Sequence, residues 1–102
     1  MPFVKVGKTS DIFPGFVRGF EVSGQGIAVV SIDGKLYALK DRCPHMGAQL
    51  SQGLLAGKII TCPLHGSQFD VTTGERLYGP ARAPIKTYPV KIEGDDVFVD
   101  MD

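Results

Sequence analysis

The sequence predicts an all-β protein. Three observations carry that expectation: runs of β-branched and aromatic residues broken by turn dipeptides, many turn-forming residues, and no window with a convincing helical apolar stripe. The chain has 102 residues, among them 13 glycines and 7 prolines. That composition suits many short strands joined by tight turns. At this length the whole chain, 1–102, is read as one domain with a modest stability margin.

The elements follow in order. Phe3-Val4-Lys5-Val6 alternates apolar and polar residues, as a half-buried strand does. Phe16 to Val22 and Ile27 to Ile32 read as strands separated by Ser23-Gly24-Gln25-Gly26, with Gly24 and Gly26 taken as turn residues. Asp33-Gly34 stands between VVSI and KLYAL, a strong hairpin signal. Residues 48–55, AQLSQGLL, could make a helical turn that Gly53 limits. Lys58 to Thr61 reads as a strand leading into Cys62. Gln68 to Val71 and Glu75 to Tyr78 flank Thr72-Thr73-Gly74 as a second hairpin, and Tyr88 to Ile92 and Val97 to Val99 flank Glu93-Gly94-Asp95-Asp96 as a third. Phe16, Phe20, Tyr37 and Phe98 are assigned to the core. Between about 41 and 84 the alternation gives way to Gly, Pro, Cys and His. That shift predicts a loop-rich unit inserted into a β scaffold formed by 1–40 and 85–102.

Charge narrows the function classes. Eleven basic and eleven acidic residues balance, and no Lys/Arg block speaks for nucleic acid or an anionic membrane. Residues 1–42 lean basic, while Glu93, Asp95, Asp96, Asp100 and Asp102 make the C-terminal end acidic. No 18-residue apolar run or leader pattern is present, so the expected location is the cytoplasm. Thiols stay reduced there, which favours metal ligation over a disulfide.

Two short loops, CPHMGA at 43–48 and CPLHGS at 62–67, hold every Cys and His of the chain: Cys43, His45, Cys62 and His65. The pattern is Cys-x-His, sixteen residues, then Cys-x-x-His. Pro44 and Pro63 stiffen the loops, and Gly47, Gly53, Gly57 and Gly66 allow close approach or positive φ. Three readings compete. A Cys43–Cys62 disulfide leaves the histidines unexplained. A tetrahedral zinc site would accept two thiolates and two imidazoles, but structural zinc tends to pair like ligands at other spacings. A [2Fe–2S] cluster with two cysteines on one iron and two histidines on the other needs one ligand for each iron from each loop.

At these residues the sequence resembles the Rieske family, whose motif C-x-H-x(15–17)-C-x-x-H is matched by Cys43, His45, Cys62 and His65. The resemblance continues through the third hairpin and the GPARAP segment. It implies the Rieske fold, an antiparallel scaffold carrying a cluster-binding subdomain, with one [2Fe–2S] cluster per chain. The outer imidazole nitrogens are then expected near the surface, as the exit for the electron. Two neutral imidazoles in place of thiolates raise the potential above that of an all-cysteine ferredoxin. Met46, Gly47, Leu64, Gly66, Ser67 and Pro80 form the expected surroundings, with Met46 and Leu64 covering the cluster and Pro80 in a third shielding loop.

The sequence departs from the high-potential branch of that family. The positions of the bracing disulfide hold Ala48 and Leu64. Ser67 stands where that branch has a serine donor to cluster sulfur, though it could equally cap its loop. Phe69 stands where that branch has a tyrosine donor. The expected potential is therefore in the lower part of the family range, roughly −150 to 0 mV.

Function follows by elimination as well as resemblance. No histidine remains for a mononuclear iron site, for a nucleophile–base pair or for a general base, and no Gly-rich nucleotide motif is present. The expectation is a one-electron carrier rather than an enzyme, similar to the soluble Rieske ferredoxins that link a flavin-containing NAD(P)H reductase to a terminal oxygenase. A small subunit of a larger reductase, such as a nitrite-reductase complex, is the alternative, and a zinc-stabilised binding module the third.

Overall fold

A computed structural model describes residues 3–44, 47–64 and 66–101. It contains eleven strands and two short 3₁₀ turns, with no α-helix among the described residues. The strands are β1 (Phe3–Lys8), β2 (Val17–Val22), β3 (Gln25–Ile32), β4 (Lys35–Lys40), β5 (Leu54–Ala56), β6 (Ile59–Thr61), β7 (Gln68–Asp70), β8 (Arg76–Tyr78), β9 (Thr87–Tyr88), β10 (Val90–Glu93) and β11 (Asp96–Asp100).

They form three antiparallel sheets. The first has the order β1-β11-β10, the second β2-β3-β4-β9 and the third β5-β6-β7-β8. The second sheet is the middle layer, and β3 is its spine. The run Ile27-Ala28-Val29-Val30 on β3 is buried throughout. Ile27 and Val29 face a core shared with Val97 and Val99 of the first sheet, while Ala28 and Val30 face a core shared with Ile60 and Phe69 of the third. A strand covered on both faces needs apolar residues at every position, which is why this stretch loses its alternation.

Local chemistry sets the hairpins. Asp33 and Gly34 adopt φ of 52° and 81°, the double positive φ that joins strands without splaying them. Ser23-Gly24 makes the same turn, with φ of 51° and 80°, so Gln25 and Gly26 begin β3 rather than belonging to the turn. Gly26 instead leaves room for a neighbour, since a Cβ there would lie 3.3 Å from Asp41 Cβ. The 48–55 segment contains a 3₁₀ turn at Leu50–Gln52 before β5.

Two further expectations are corrected. Tyr88 to Ile92 is not one strand. Tyr88 pairs with Ala38 in the second sheet and Val90 with Val99 in the first, and the chain crosses between sheets at Pro89, which has no N–H to continue a ladder. Phe16 is not core; it is 68% exposed. It closes a turn in which its N–H donates to the Phe13 carbonyl at 3.1 Å, and that turn carries both aromatics outward before β2 starts. Phe20 and Tyr37 do pack against the two cores, and Phe98 lies under the Lys91 ammonium, 5.4 Å from the ring centre. At the acidic C-terminal end, Asp96 receives Lys5 at 3.2 Å and Lys8 at 3.4 Å.

Asp70 ends β7 and holds the hairpin that follows. Its carboxylate accepts the Thr72 N–H at 2.9 Å and the Thr72 hydroxyl at 2.6 Å, and Lys58 Nζ lies 3.2 Å away. The Thr72 hydroxyl, then its N–H and Lys58, hold the Asp70 carboxyl below its ordinary range despite burial. A depressed carboxylate contributes stability above its unfolded pKa near 4 and loses it as pH falls through the lower folded value. Asp70→Ala should therefore cost about 1–3 kcal/mol in urea unfolding at neutral pH, with the gap to the parent closing as pH falls through and below the ordinary carboxylate range. An unchanged gap across that range would deny Asp70 this role.

Candidate metal centre

The first cysteine loop leaves the end of β4. Asp41 anchors it: the buried carboxylate accepts the Ser51 N–H at 2.7 Å and the Ser51 hydroxyl, while the Asp41 N–H donates to the Gly26 carbonyl at 2.9 Å. The loop is thereby tied both to the spine strand and to its own far side. Within it, the Cys43 N–H donates to Ala48 O and the Gly47 N–H donates to Cys43 O, both at 2.8 Å. The chain turns tightly around Cys43, with Gly47 at φ 77°.

The second loop is the β6–β7 connection. The Cys62 N–H donates to Ser67 O at 2.7 Å, which closes the loop, and Gly66 stands at φ 75°. Ser67 is fully buried, and its hydroxyl oxygen accepts the Ala81 N–H at 3.1 Å. That bond fastens the GPARAP segment to the second loop. The approach requires glycine at 79: a Cβ there would lie 2.5 Å from Ser67 Cα, and φ is 102°. Ser67 thus acts as a loop clasp through its oxygen, while its proton remains for another acceptor.

The loops bring Cys43 and Cys62 together. Neither is bridged, and they are 1% and 2% exposed. Both belong to the core of Leu50, Ile60, Phe69 and Ala81. Burial pushes the Cys62 thiol up, the neighbouring Cys43 adds to this, and a hydrogen bond from the Leu64 N–H to the Cys62 sulfur opposes them. Two adjacent thiols in an apolar wall, one already receiving an N–H, suit a thiolate-bound metal better than free thiols, because the metal displaces the protons and neutralises the charge. His45, Met46 and His65 lie outside the described residues. Among the described residues no three Cys, His, Asp or Glu side chains gather as a metal site. Leu64 is 40% exposed at the loop tip and Pro80 is exposed on the third segment.

The family model for the Rieske [2Fe–2S] domain matches residues 2–89. The chain belongs to the Rieske [2Fe–2S] family. The naphthalene 1,2-dioxygenase system ferredoxin component of Pseudomonas putida is 46% identical over 92 residues, covering 90% of this chain and 88% of that one. The biphenyl 2,3-dioxygenase ferredoxin component of Rhodococcus jostii is 37% identical over 102 residues, covering 100% and 95%. Among solved structures, the Sphingomonas yanoikuyae B1 ferredoxin superposes with a TM-score of 0.93 at 32% identity, covering 99% of this chain and 100% of that one. The Rieske protein accordingly carries one [2Fe–2S] cluster per chain and is a ferredoxin, an electron-transfer component rather than a catalyst. The disulfide and zinc readings fall with that assignment. No helix among the described residues is long and apolar enough to cross a membrane.

Sequence reasoning missed Asp41, Ser51 and Ala81. Gly19 and Gly26 hinted at the first two, as glycines inside strand runs that make room for Ser51 and Asp41; nothing hinted at Ala81. Gly79→Ala should lower iron retention and cost about 2 kcal/mol or more, since backbone atoms rather than a flexible side chain block the new methyl. Gly24→Ala, also at positive φ but with open space around it, should cost only the conformational part, about 1 kcal/mol. Equal losses of iron in the two variants would remove the clasp from the account.

Proposed function

We propose that this Rieske protein takes electrons singly from a flavin-containing NAD(P)H reductase and delivers them to a terminal oxygenase. The single observation that supports the reading best is the pair of buried, unbridged cysteines on neighbouring loops in a chain so similar to dioxygenase ferredoxins. A solved complex of oxygenase and ferredoxin in carbazole 1,9a-dioxygenase, matched with a TM-score of 0.89 at 36% identity, supports an oxygenase as acceptor. The relatives' names favour this carrier over a nitrite-reductase subunit.

Cys43 and Cys62 are assigned to one iron, His45 and His65 to the other, with residues 41–84 as the cluster-binding subdomain and the cytoplasm as its location. When bound, the cluster supplies a one-electron couple whose potential follows its ligands and the hydrogen bonds to its sulfurs. The chain's own residues do the rest. The Leu64 N–H supports the Cys62 thiolate. Phe69, fully buried, and Leu50 keep water from the scaffold side. Ser67 retains one proton to donate, and Phe69 has none.

Electron paramagnetic resonance of the dithionite-reduced protein, with iron and sulfide assayed on the same sample, tests the assignment. The expected result is two irons and two sulfides per chain with an average g clearly below that of all-cysteine ferredoxins. A colourless, EPR-silent protein holding one zinc would overturn it. His45→Cys should lower the potential sharply or lose the cluster. Phe69→Tyr adds a donor and should raise the potential by about 40 mV, taking about 1 kcal/mol for the bond and 59 mV per tenfold change for one electron. A potential that holds or falls in an intact Phe69→Tyr protein would defeat the tuning account. NADH-driven turnover by reductase and oxygenase components should require the added ferredoxin.

A further inference from the structure

The charges of this chain are sorted in space. Net charge is zero, yet the two recesses beside the cysteine loops are lined by cations without a single acid. The first is lined by Lys40, Arg42 and Lys86 together with Cys43 and Pro44. The second, against the Ser67 loop, is lined by Arg76 and Arg82 with Gly79, Pro80 and Ala81. All five cationic residues are exposed. The backbone holds them in place. The Lys40 N–H donates to Lys86 O at 2.9 Å, and Arg76 Nη1 donates to Gly79 O at 3.1 Å. Arg42 lies over the first loop, where a Cβ on Gly47 would come within 3.3 Å of its guanidinium.

The ion pairs are elsewhere. Lys5 and Lys8 share Asp96, Lys91 meets Glu93, and Lys58 meets Asp70. Among the described residues none of the five cations flanking the cysteine loops has an acidic partner. Of the nearby acids, Asp41 is buried against Ser51, Asp70 sits at the far end of β7, opposite Ile59, and Glu75 is exposed next to Arg76. The β1-β11-β10 sheet carries Glu93, Asp95, Asp96 and Asp100 against Lys5, Lys8 and Lys91, and Asp11, Glu21, Asp33 and Glu75 supply most of the remaining negative charge. A neutral protein with one unpaired cationic face has a field that orients it as it approaches a partner.

We propose that the rim of Lys40, Arg42, Arg76, Arg82 and Lys86 is a docking face that recruits a carboxylate-bearing surface on the redox partner. This rests on the carrier reading above. Charge complementarity selects that occupant: a basic partner would meet an uncompensated field around the cysteine loops, whereas carboxylates would find unpaired cations on both sides of them. Exposed charges of this kind act mainly on the association rate, with little effect on the stability of the final contact.

The experiment uses reduced holoprotein and small redox probes of opposite charge. Each reduced chain passes one electron to ferricyanide, giving ferrocyanide and the oxidised cluster, or to hexaamminecobalt(III), giving cobalt(II). Stopped-flow rates are read from about 0.01 M to about 1 M salt, across which the screening length shrinks from about 30 Å to about 3 Å. Ferricyanide oxidation should slow about tenfold across that range, while the cobalt reaction should speed up. Poly-L-aspartate should inhibit the ferricyanide reaction at low salt by occupying the rim. The double variant R42E/R82E should lose both effects. K40E/R82E, which leaves the Arg42 contact with the first loop intact, should lose most of them. K35E reverses one charge at the opposite end of β4 and should retain them, whereas R82E, the matched single reversal on the rim, should weaken them. Salt-independent rates, or equal losses in K35E, would overturn the proposal. A salt effect without inhibition by poly-L-aspartate would overturn carboxylate docking and leave a face that concentrates small anions only. The probes report the rim whether or not an oxygenase accepts the electron, so failure of turnover with a reductase and oxygenase would count against the carrier reading alone.

Discussion

Two unbridged thiols must lie side by side in an apolar wall, and most of the structure serves that requirement. Such a pair is unfavourable to ionise and has no covalent bond to hold it. It persists because Cys43 and Cys62 are built into one core with Leu50, Ile60, Phe69 and Ala81, and because their loops are tied down independently. A metal-bound state converts the arrangement from a cost into a gain, since binding to the folded chain adds to its stability.

The ties come from three parts of the chain that are distant in sequence. Asp41 holds the first loop to Ser51 and to the spine strand. The β6–β7 hairpin presents Cys62 from a short loop closed by Ser67. Gly79 and Ala81 press the third segment against Ser67. Each tie uses a backbone or buried hydrogen bond, and buried bonds of this kind are expensive to leave unmade. Behind them β3, buried on both faces, passes the rigidity of the β1-β11-β10 sheet to the loops. A site held in this way reorganises little when its charge changes, which suits a protein whose work is to gain and lose one electron.

The same arrangement explains the division of the surface. The ion pairs lie within the β1-β11-β10 sheet and between Lys58 and Asp70. Beside the cysteine loops, backbone hydrogen bonds fix the chain, so the side chains of Lys40, Arg42 and Arg82 are not needed for local pairing and remain available to the outside. The zero net charge of the chain conceals this, because the balancing acids are spread over other parts of the chain.

The sequence by itself determined the hairpin at Asp33-Gly34, the all-β class and the Cys/His motif with its family. These are local properties: a turn depends on two φ angles, and the motif is a spacing along the chain. Its limits appear where the next residue is not the deciding neighbour. Phe16 is aromatic and precedes a strand, which points to the core, but a turn with Phe13 faces it to water. Pro89 lies inside a strand-like run, although the chain changes sheets there. Only the tertiary structure decided that Asp41 would grip Ser51, that the Ala81 N–H would find Ser67, that glycine alone fits at 79, and that five unpaired cations would surround the cysteines. Each of these depends on segments far apart in sequence meeting in space, and no propensity or spacing along a single stretch encodes such a meeting.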